Sequence, residues 1–369
     1  MQTTNEERLA PNVRQTWPWG YREVAGSLLK TTISVTRLAG SLPASVLLLL
    51  SAAQAGDALE LPDYKPVPPA IKARILAVDA KKGYLVKQLK PDVYLITDGA
   101  YQSLFVTTGK GVIQLDAPPS FGGDIVHAVA EVTKEPIVEL VYSHSHLDHI
   151  SGAVDVLKQV PRLRILAEEG VAKFLREKKD SRRPLPTQTF KGQYTLKLGS
   201  ASIEMKHGHW HSNEGDLYIY IPAKKVLMAI DTLPPGYAQF QDFDLTADFH
   251  DYLEMFDQLL AYDFEVLVGG HLGFPGNRND VQVAKEYTID VYKTVKRIHD
   301  GTDQMKIVSQ AAAKYGWENK MALFRTVLDG VVDQCAKEIE SRWSDRLASV
   351  DVYAPSHCHT ALIYARWDD

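Results

Sequence analysis

The chain has 369 residues, 45% of them hydrophobic and 24% charged, with a formal net charge of -5. This composition excludes a fibrous or disordered polypeptide and allows one large domain or two ordinary ones around a sizeable core. The mild acidity and the lack of any long basic run argue against nucleic acid as a partner.

Residues 1–55 read differently from the rest. After Lys30 and Arg37 comes "LAGSLPASVLLLLSAAQAGD", too short and too broken by Ser and Pro for a comfortable membrane span, with a small-x-small pattern at Ala53-Gln54-Ala55. It reads as a secretory signal cleaved after Ala55, giving a periplasmic or secreted protein with no stable membrane insertion; an uncleaved anchor is the alternative. Residues 56–86 follow as a linker or arm. Cys335 and Cys358 are the two cysteines. They exclude a disulfide scaffold and leave open a single bridge or two buried thiols.

From Pro91 onward, "DVYLITDG", "QSLFVTTG" and "GVIQLDAP" predict an antiparallel meander. "GGDIVHAVAEVTK" has helical spacing, and "PIVELVYSH" is the continuous apolar run of a strand buried on both faces. A second round follows: "LRILAEEG" as strand, "VAKFLREKK" as helix, then strands at "QYTLKLG", "ASIEMKHG", "DLYIYIP" and "KKVLMAIDT". A helix from Phe249 to Ala261 and a strand at "EVLVGGH" complete it. Two strand-rich halves with interleaved helices predict two sheets packed face to face with helices outside, over residues 87–276. Residues 277–348 predict a helical extension broken near Gly301 and Gly316. Residues 349–369, ending in "HTALIYARW", predict a terminal strand that returns to the sandwich.

The densest chemistry lies in "VYSHSHLDHISGA", which sets His144, His146, Asp148 and His149 directly after the buried strand. Imidazoles and carboxylates are ligands for borderline divalent ions such as Zn²⁺. His144 and His146 can project to one side of a strand end, while Asp148 and His149 lie a turn further on and can meet a second ion. More donors follow strand patterns elsewhere: His207, His209 and His211 in "KHGHWHSNEGD", Asp231 ending "VLMAIDT", and His271 ending "VLVGGH". Such donors converge if their strands end at one edge.

In this order the residues resemble the metallo-β-lactamase superfamily, which implies an α/β fold, the αββα sandwich, here with a C-terminal helical extension. The resemblance covers about Lys87 to Gly273. It implies one metal site from His144, His146 and a third histidine, a second from Asp148, His149 and His271, and Asp231 bridging the two. His211, in a His-Ser setting before "EGD", is the preferred third ligand, with His209 after Gly208 as the alternative and His207 assigned to the strand. Asp116 in "IQLDAPP" matches a position that supports the metal-binding loop from behind; an ordinary strand-end turn is the alternative.

The expected activity is that of a hydrolase with two Zn²⁺ per chain. A bridging water, its pKa lowered from about 15.7 to near neutrality, would be the nucleophile. Asp148 is the predicted catalytic residue, binding metal and handling the proton. The substrate is expected to be a small ester, lactone or amide. In β-lactamases of the superfamily the position matching Asp231 is usually Cys or Ser, which weighs against a β-lactam. The alternatives are an iron-dependent, persulfide-dioxygenase-like oxidoreductase and a non-catalytic metal-binding module. Tyr287, Tyr292, Tyr315, Trp317 and Trp343 of the extension could wall a substrate pocket, form a homodimer face, or pack helix against sandwich. "TLPPGYAQFQDF" after Asp231 is expected to contact substrate. His357 and His359 in "PSHCHTA" would share one strand face, with a further metal site there as the alternative to an ordinary strand.

Overall fold

A computed structural model of the protein describes residues 61–212 and 214–367. The targeting segment predicted over residues 1–55 lies outside these residues. Between Lys65 and Trp367 the chain builds two sheets. The first runs in the order β1 (Leu85–Lys90), β2 (Val93–Thr97), β3 (Gln102–Thr107), β4 (Val112–Leu115), β5 (Ile137–Val141), β6 (Arg164–Glu168) and β7 (Gln188–Phe190). Its first four strands form an antiparallel meander, and β4 through β7 are parallel. In the second, β8 (Gln193–Leu198), β9 (Ala201–Gly208), β10 (Asp216–Ile221) and β11 (Val226–Met228) pair antiparallel, and β12 (Val266–Val268) adds in parallel beside β11.

Period-two side-chain alternation turns these sheets into layers. In β10, Leu217, Ile219 and Ile221 face inward and pack with Leu95, Leu104, Ile113 and Val141 of the first sheet. Tyr218 and Tyr220, one residue out of phase, face the opposite side and join the helices there. Each fully buried side chain of this kind contributes about 1.5–3 kcal/mol. The outer face of the first sheet is covered by α2 (Ile125–Ala130), α4 (Ala153–Gln159) and α5 (Glu169–Lys178); the short α1 (Pro69–Lys72) and α3 (Leu147–Ile150) precede α2 and α4 in the chain. The other outer layer holds α7 (Phe249–Ala261), α8 (Arg278–Gly301), α10 (Lys320–Trp343) and α11 (Val350–Trp367); α6 (Gln241–Leu245) precedes α7, and α9 (Gln304–Tyr315) joins α8 to α10. The result is the four-layer αββα sandwich with a helical extension.

Local signals set the helix starts. Asp248 accepts from the N–H groups of His250 and Asp251 to open α7, and Asn277 and Asp280 form a reciprocal capping box at the start of α8. Asp280 is further held by a two-pronged pair with Arg74, each N–O distance 2.7 Å.

The terminal strand predicted within 349–369 is instead the helix α11. Its buried residues, Val350, Ala354, His357, Cys358, Ala361 and Leu362, recur at helical spacing, whereas "ALIY" alone is too short to separate strand from helix. His357 and His359 therefore share no strand face. His357 is buried against Tyr287, and neither histidine belongs to a donor cluster among the described residues. Cys335 of α10 and Cys358 of α11 are bonded across a sequence separation of 23, a loop size for which a disulfide contributes about 3 kcal/mol. Tyr287 and Trp343 pack in the core and Tyr292 packs partly buried against it, whereas Tyr315 and Trp317 are exposed.

Candidate metal centre

Five chain segments leave their strands at one edge of the sandwich, each carrying a donor or a support. The segment after β5 brings His144, His146, Asp148 and His149. The β9–β10 connection brings His211, the end of β11 brings Asp231, and the end of β12 brings His271. Asp116 stands just past β4.

Asp231 lies at the centre. Its Oδ2 is 3.2 Å from His144 Nε2 and 3.2 Å from His211 Nδ1. Its Oδ1 is 3.2 Å from His149 Nε2 and 3.0 Å from His271 Nε2. His146 completes the first group, its ring 4.6 Å from that of His144 and 4.5 Å from that of His211. Asp148 completes the second, with Oδ2 3.4 Å from His149 Nε2 and 3.6 Å from His271 Nε2. The donors thus fall into two groups, His144, His146, His211 and Asp231, and Asp148, His149 and His271, joined by one carboxylate.

Of the rival histidines the fold brings His211 to the donors. His209 is exposed and lies against His207, ring centroids 4.3 Å apart, away from either group. The reason is Asp216, whose buried carboxylate accepts from the N–H of His211 at 2.9 Å, the N–H of Ser212 and the Ser212 hydroxyl. Trp210 pins the same segment by donating its ring N–H to Ile230 O at 2.8 Å.

Asp116 supports the loop from behind, accepting from the Ser143 N–H at 2.7 Å. The Ser143 hydroxyl lies 2.9 Å from His144 Nδ1. If His144 donates there, its Nε2 keeps a lone pair for a metal, an assignment drawn from the network. Asp116 and Asp231 both have left-handed backbone, φ 61° and 59°, a conformation that Asp tolerates better than most residues. Gly270, φ 92°, sits where a Cβ would meet the Ile230 side chain at 2.8 Å and His149 at 3.1 Å, so the β12 end must be bare to bring His271 in.

Several neighbours carry no motif. Arg183 donates to Ser145 O at 2.8 Å. Tyr101 is buried with its ring 5.0 Å from that of His271, and burial together with Asp148 raises its hydroxyl pKa. Asp244 lies in α6, where Asp242 to Leu245 are all left-handed, at about 1–2 kcal/mol per residue. Burial and the charge of Asp231 push its carboxyl up to about 6. Apart from these, His250, Asp251 and Glu254 form a third donor group on α7, largely exposed, as an ordinary solvated helix face would be.

His144 Nε2, His211 Nδ1 and Asp231 Oδ1, three of the atoms that face one another in this cluster, are buried without a hydrogen-bond partner. An orphaned buried polar atom costs about 1–3 kcal/mol, and native proteins rarely tolerate several together. Nitrogen and carboxylate donors in two joined groups are what divalent cations take, so the residues fit a metal.

The sequence of residues 98–271 matches the model of the metallo-beta-lactamase superfamily. The chain carries a metallo-β-lactamase superfamily domain. The donor groups fall within the span of this domain. A curated relative, the alpha subunit of 2,4-dinitroanisole O-demethylase from Nocardioides sp. (strain JS1661), is 26% identical over 185 residues, or 48% of this chain. The match spans 55% of that relative's length. Among solved structures, a metallo-beta-lactamase from Pontibacter korlensis aligns at TM-score 0.48 and 19% identity, over 55% of this chain and 97% of that one. The DIM-1 metallo-beta-lactamase aligns at TM-score 0.47 and 18% identity, over 55% and 95%.

The donor cluster has a proton inventory that metal loading must change. Burial opposes charge on His149, but Asp231 and Asp148 outweigh it and lift the ring to about 10; for His211, Asp231 likewise overcomes burial and lifts it to about 9. Burial, with the His144 and His211 rings, drives His146 down to about 3. At a pH of about 7.5 the metal-free protein therefore holds protons on His149 and His211 and none on His146. Ligation needs free lone pairs, so loading at that pH is expected to release about two protons per chain from these rings, in addition to any from an acidified water. The release should shrink as pH rises through about 9 to 10, where the rings deprotonate unaided. Calorimetry of metal uptake in buffers of different ionisation enthalpy measures this number; no proton release near neutral pH contradicts it.

Proposed function

We propose that the protein is a metal-dependent hydrolase that binds two zinc ions and cleaves a small, partly apolar ester, lactone or amide. The observation that carries this reading is Asp231, one buried carboxylate whose two oxygens each lie against a different group of imidazole donors. His144, His146 and His211 would hold one ion, Asp148, His149 and His271 the other, and Asp231 both. When bound, such a pair supplies an acidified water and a Lewis acid for the carbonyl oxygen, which removes the need for a Ser or Cys nucleophile.

The chain's own residues set the rest. Asp148 stands at the open side of the site, its side chain 39% exposed, where it can accept the nucleophile's proton while the buried ligands cannot. Tyr101 and Phe240 flank His271, at 5.0 and 5.2 Å between ring centroids, and offer an apolar wall to the substrate. An Asp at 231, where superfamily β-lactamases usually carry Cys or Ser, supports weighting the reading away from lactams. The name of the curated relative adds aryl–oxygen substrates to those worth testing. The Cys335–Cys358 bridge supports an exported protein, periplasmic or secreted. The exposed Met305, Trp317, Met321 and Phe324 support a homodimer through the helical extension.

Metal analysis of the purified protein followed by a panel of aryl esters, lactones, β-lactams, sulfate esters and phosphodiesters tests the reading. Zinc at about two per chain with turnover of an ester or lactone is the expected result. Stoichiometric iron with oxygen uptake, or zinc-loaded protein inert across the panel, overturns it.

A further inference from the structure

The wall of the metal centre that carries Phe240 and Asp244 belongs to the segment after Asp231, yet α11 holds it in place. Four consecutive non-glycine residues, Asp242, Phe243, Asp244 and Leu245, have φ of 52°, 53°, 64° and 55°. Nothing in "QFQDFDLT" favours a left-handed turn of that length, so contacts from elsewhere must hold it. α11 supplies them. His357 Nε2 lies 2.8 Å from Phe240 O, and its ring stacks on Phe243 with centroids 4.2 Å apart and planes at 16°. The Ser356 hydroxyl accepts from the Asp242 N–H at 3.1 Å, and the Thr360 hydroxyl donates to Asp242 Oδ1 at 3.1 Å.

The protonation of His357 follows from its partners. A carbonyl can only accept, so Nε2 carries the proton and Nδ1 accepts from the Tyr287 hydroxyl at 2.8 Å. Burial holds the ring pKa down to about 4, so it is neutral throughout the working range. The next residue, Cys358, is bonded to Cys335, which ties this part of α11 to α10.

The turn so held places two groups at the metal centre. The Phe240 ring stands edge-on to His271 at 5.2 Å. The Asp244 carboxyl is close enough to interact electrostatically with Asp231, His211, His271 and His149, and its Oδ2 is buried without a hydrogen-bond partner. The two donor groups of the metal centre draw on no residue of this turn.

We propose that His357 is a positioning residue: through its hydrogen bond to Phe240 and its stack on Phe243 it holds the left-handed turn that sets the substrate-facing wall of the site. The C-terminal helix thereby governs substrate binding while the metal donors stand on other segments. The kinetic part of this inference rests on the hydrolase reading, and the structural part does not.

The test compares His357→Ala, His357→Gln and Ser356→Ala in the full chain. Amide hydrogen exchange over residues 239–246 is expected to quicken about tenfold in His357→Ala, with segments 142–149 and 226–231 unchanged. Zinc content should stay at the wild-type value. On a substrate that the wild type turns over, KM should rise about tenfold with kcat within about threefold. His357→Gln, whose amide can still donate to Phe240 O, should recover most of both effects. Ser356→Ala, which removes one hydrogen bond to Asp242, should show the same pattern more weakly, and it becomes the deciding variant if His357→Ala fails to fold. Unchanged exchange over 239–246, or a fall in kcat that tracks lost zinc, overturns the proposal. A wild type inert on every substrate refutes the hydrolase reading instead, and hydrogen exchange still decides whether His357 holds the turn.

Discussion

Asp231→Asn is expected to strip the protein of its metals. The side chain is 2% exposed, and its two oxygens lie 3.0 to 3.2 Å from four imidazole nitrogens in both donor groups. Asparagine fills the same space, so packing survives. It replaces one donor oxygen by an amide NH₂, which has no lone pair to offer, and it removes the negative charge that the two proposed cations would need. Loss of residues that merely orient a metal ligand costs about 10–100-fold in affinity, so loss of the bridging ligand should cost more than about 100-fold. On the hydrolase reading, turnover should fall in step with metal content. The protein's proton inventory gives a second signature: without the charge of Asp231, burial dominates at His149 and His211, so metal uptake near neutral pH should release fewer protons than in the wild type. Elemental analysis after gel filtration checks the first expectation and calorimetry the second. An Asp231→Asn protein that retains two ions per chain contradicts the bridging role.

How much of the site is legible in the sequence depends on how local its signals are. H-x-H-x-D-H is dense, sits at the end of an apolar run, and needs no partner to be recognised. Asp231 and His271 are legible because each closes a strand pattern. The sequence leaves His209 and His211 open, because the choice rests on Asp216 curling the loop back to cap His211 and Ser212, a contact that spacing does not encode. β1 and β7 leave little trace because they are sheet edges: β1 shows no buried alternation and β7 buries only Phe190. The left-handed turn at 242–245 is hidden for a different reason. It contains no glycine, and its support comes from α11, more than a hundred residues away in the sequence. The same helix reads as a strand in "HTALIYARW", while its helical repeat emerges only when counted from Val350. Long-range contacts that override local preference are therefore the part that cannot be read.

On the hydrolase reading, Asp148→Asn should separate catalysis from metal binding where Asp231→Asn loses both. Asp148 contributes to the second donor group alone, and its side chain is the most exposed of that group, at 39%. The first group, His144, His146, His211 and Asp231, is untouched by the change, so at least one ion per chain should remain. Exposure also means that the fold has little to lose, and the melting temperature should stay close to the wild type's. Burial raises the carboxyl's pKa, but His149 and His271 outweigh it and leave the group below the usual carboxylate range, so Asp148 is ionised at neutral pH and free to take a proton. The amide cannot accept it. General-base assistance contributes about 10²–10⁴-fold, and kcat at saturating substrate should fall by that much. The acid side of the kcat profile discriminates further. A wild-type limb caused by protonating Asp148 should vanish in the variant's residual rate, whereas a limb caused by protons competing with metal at the histidines should persist. A variant that keeps kcat within about tenfold of the wild type, with its metal in place, assigns the proton to another group, and Asp244 is then the residue to change next.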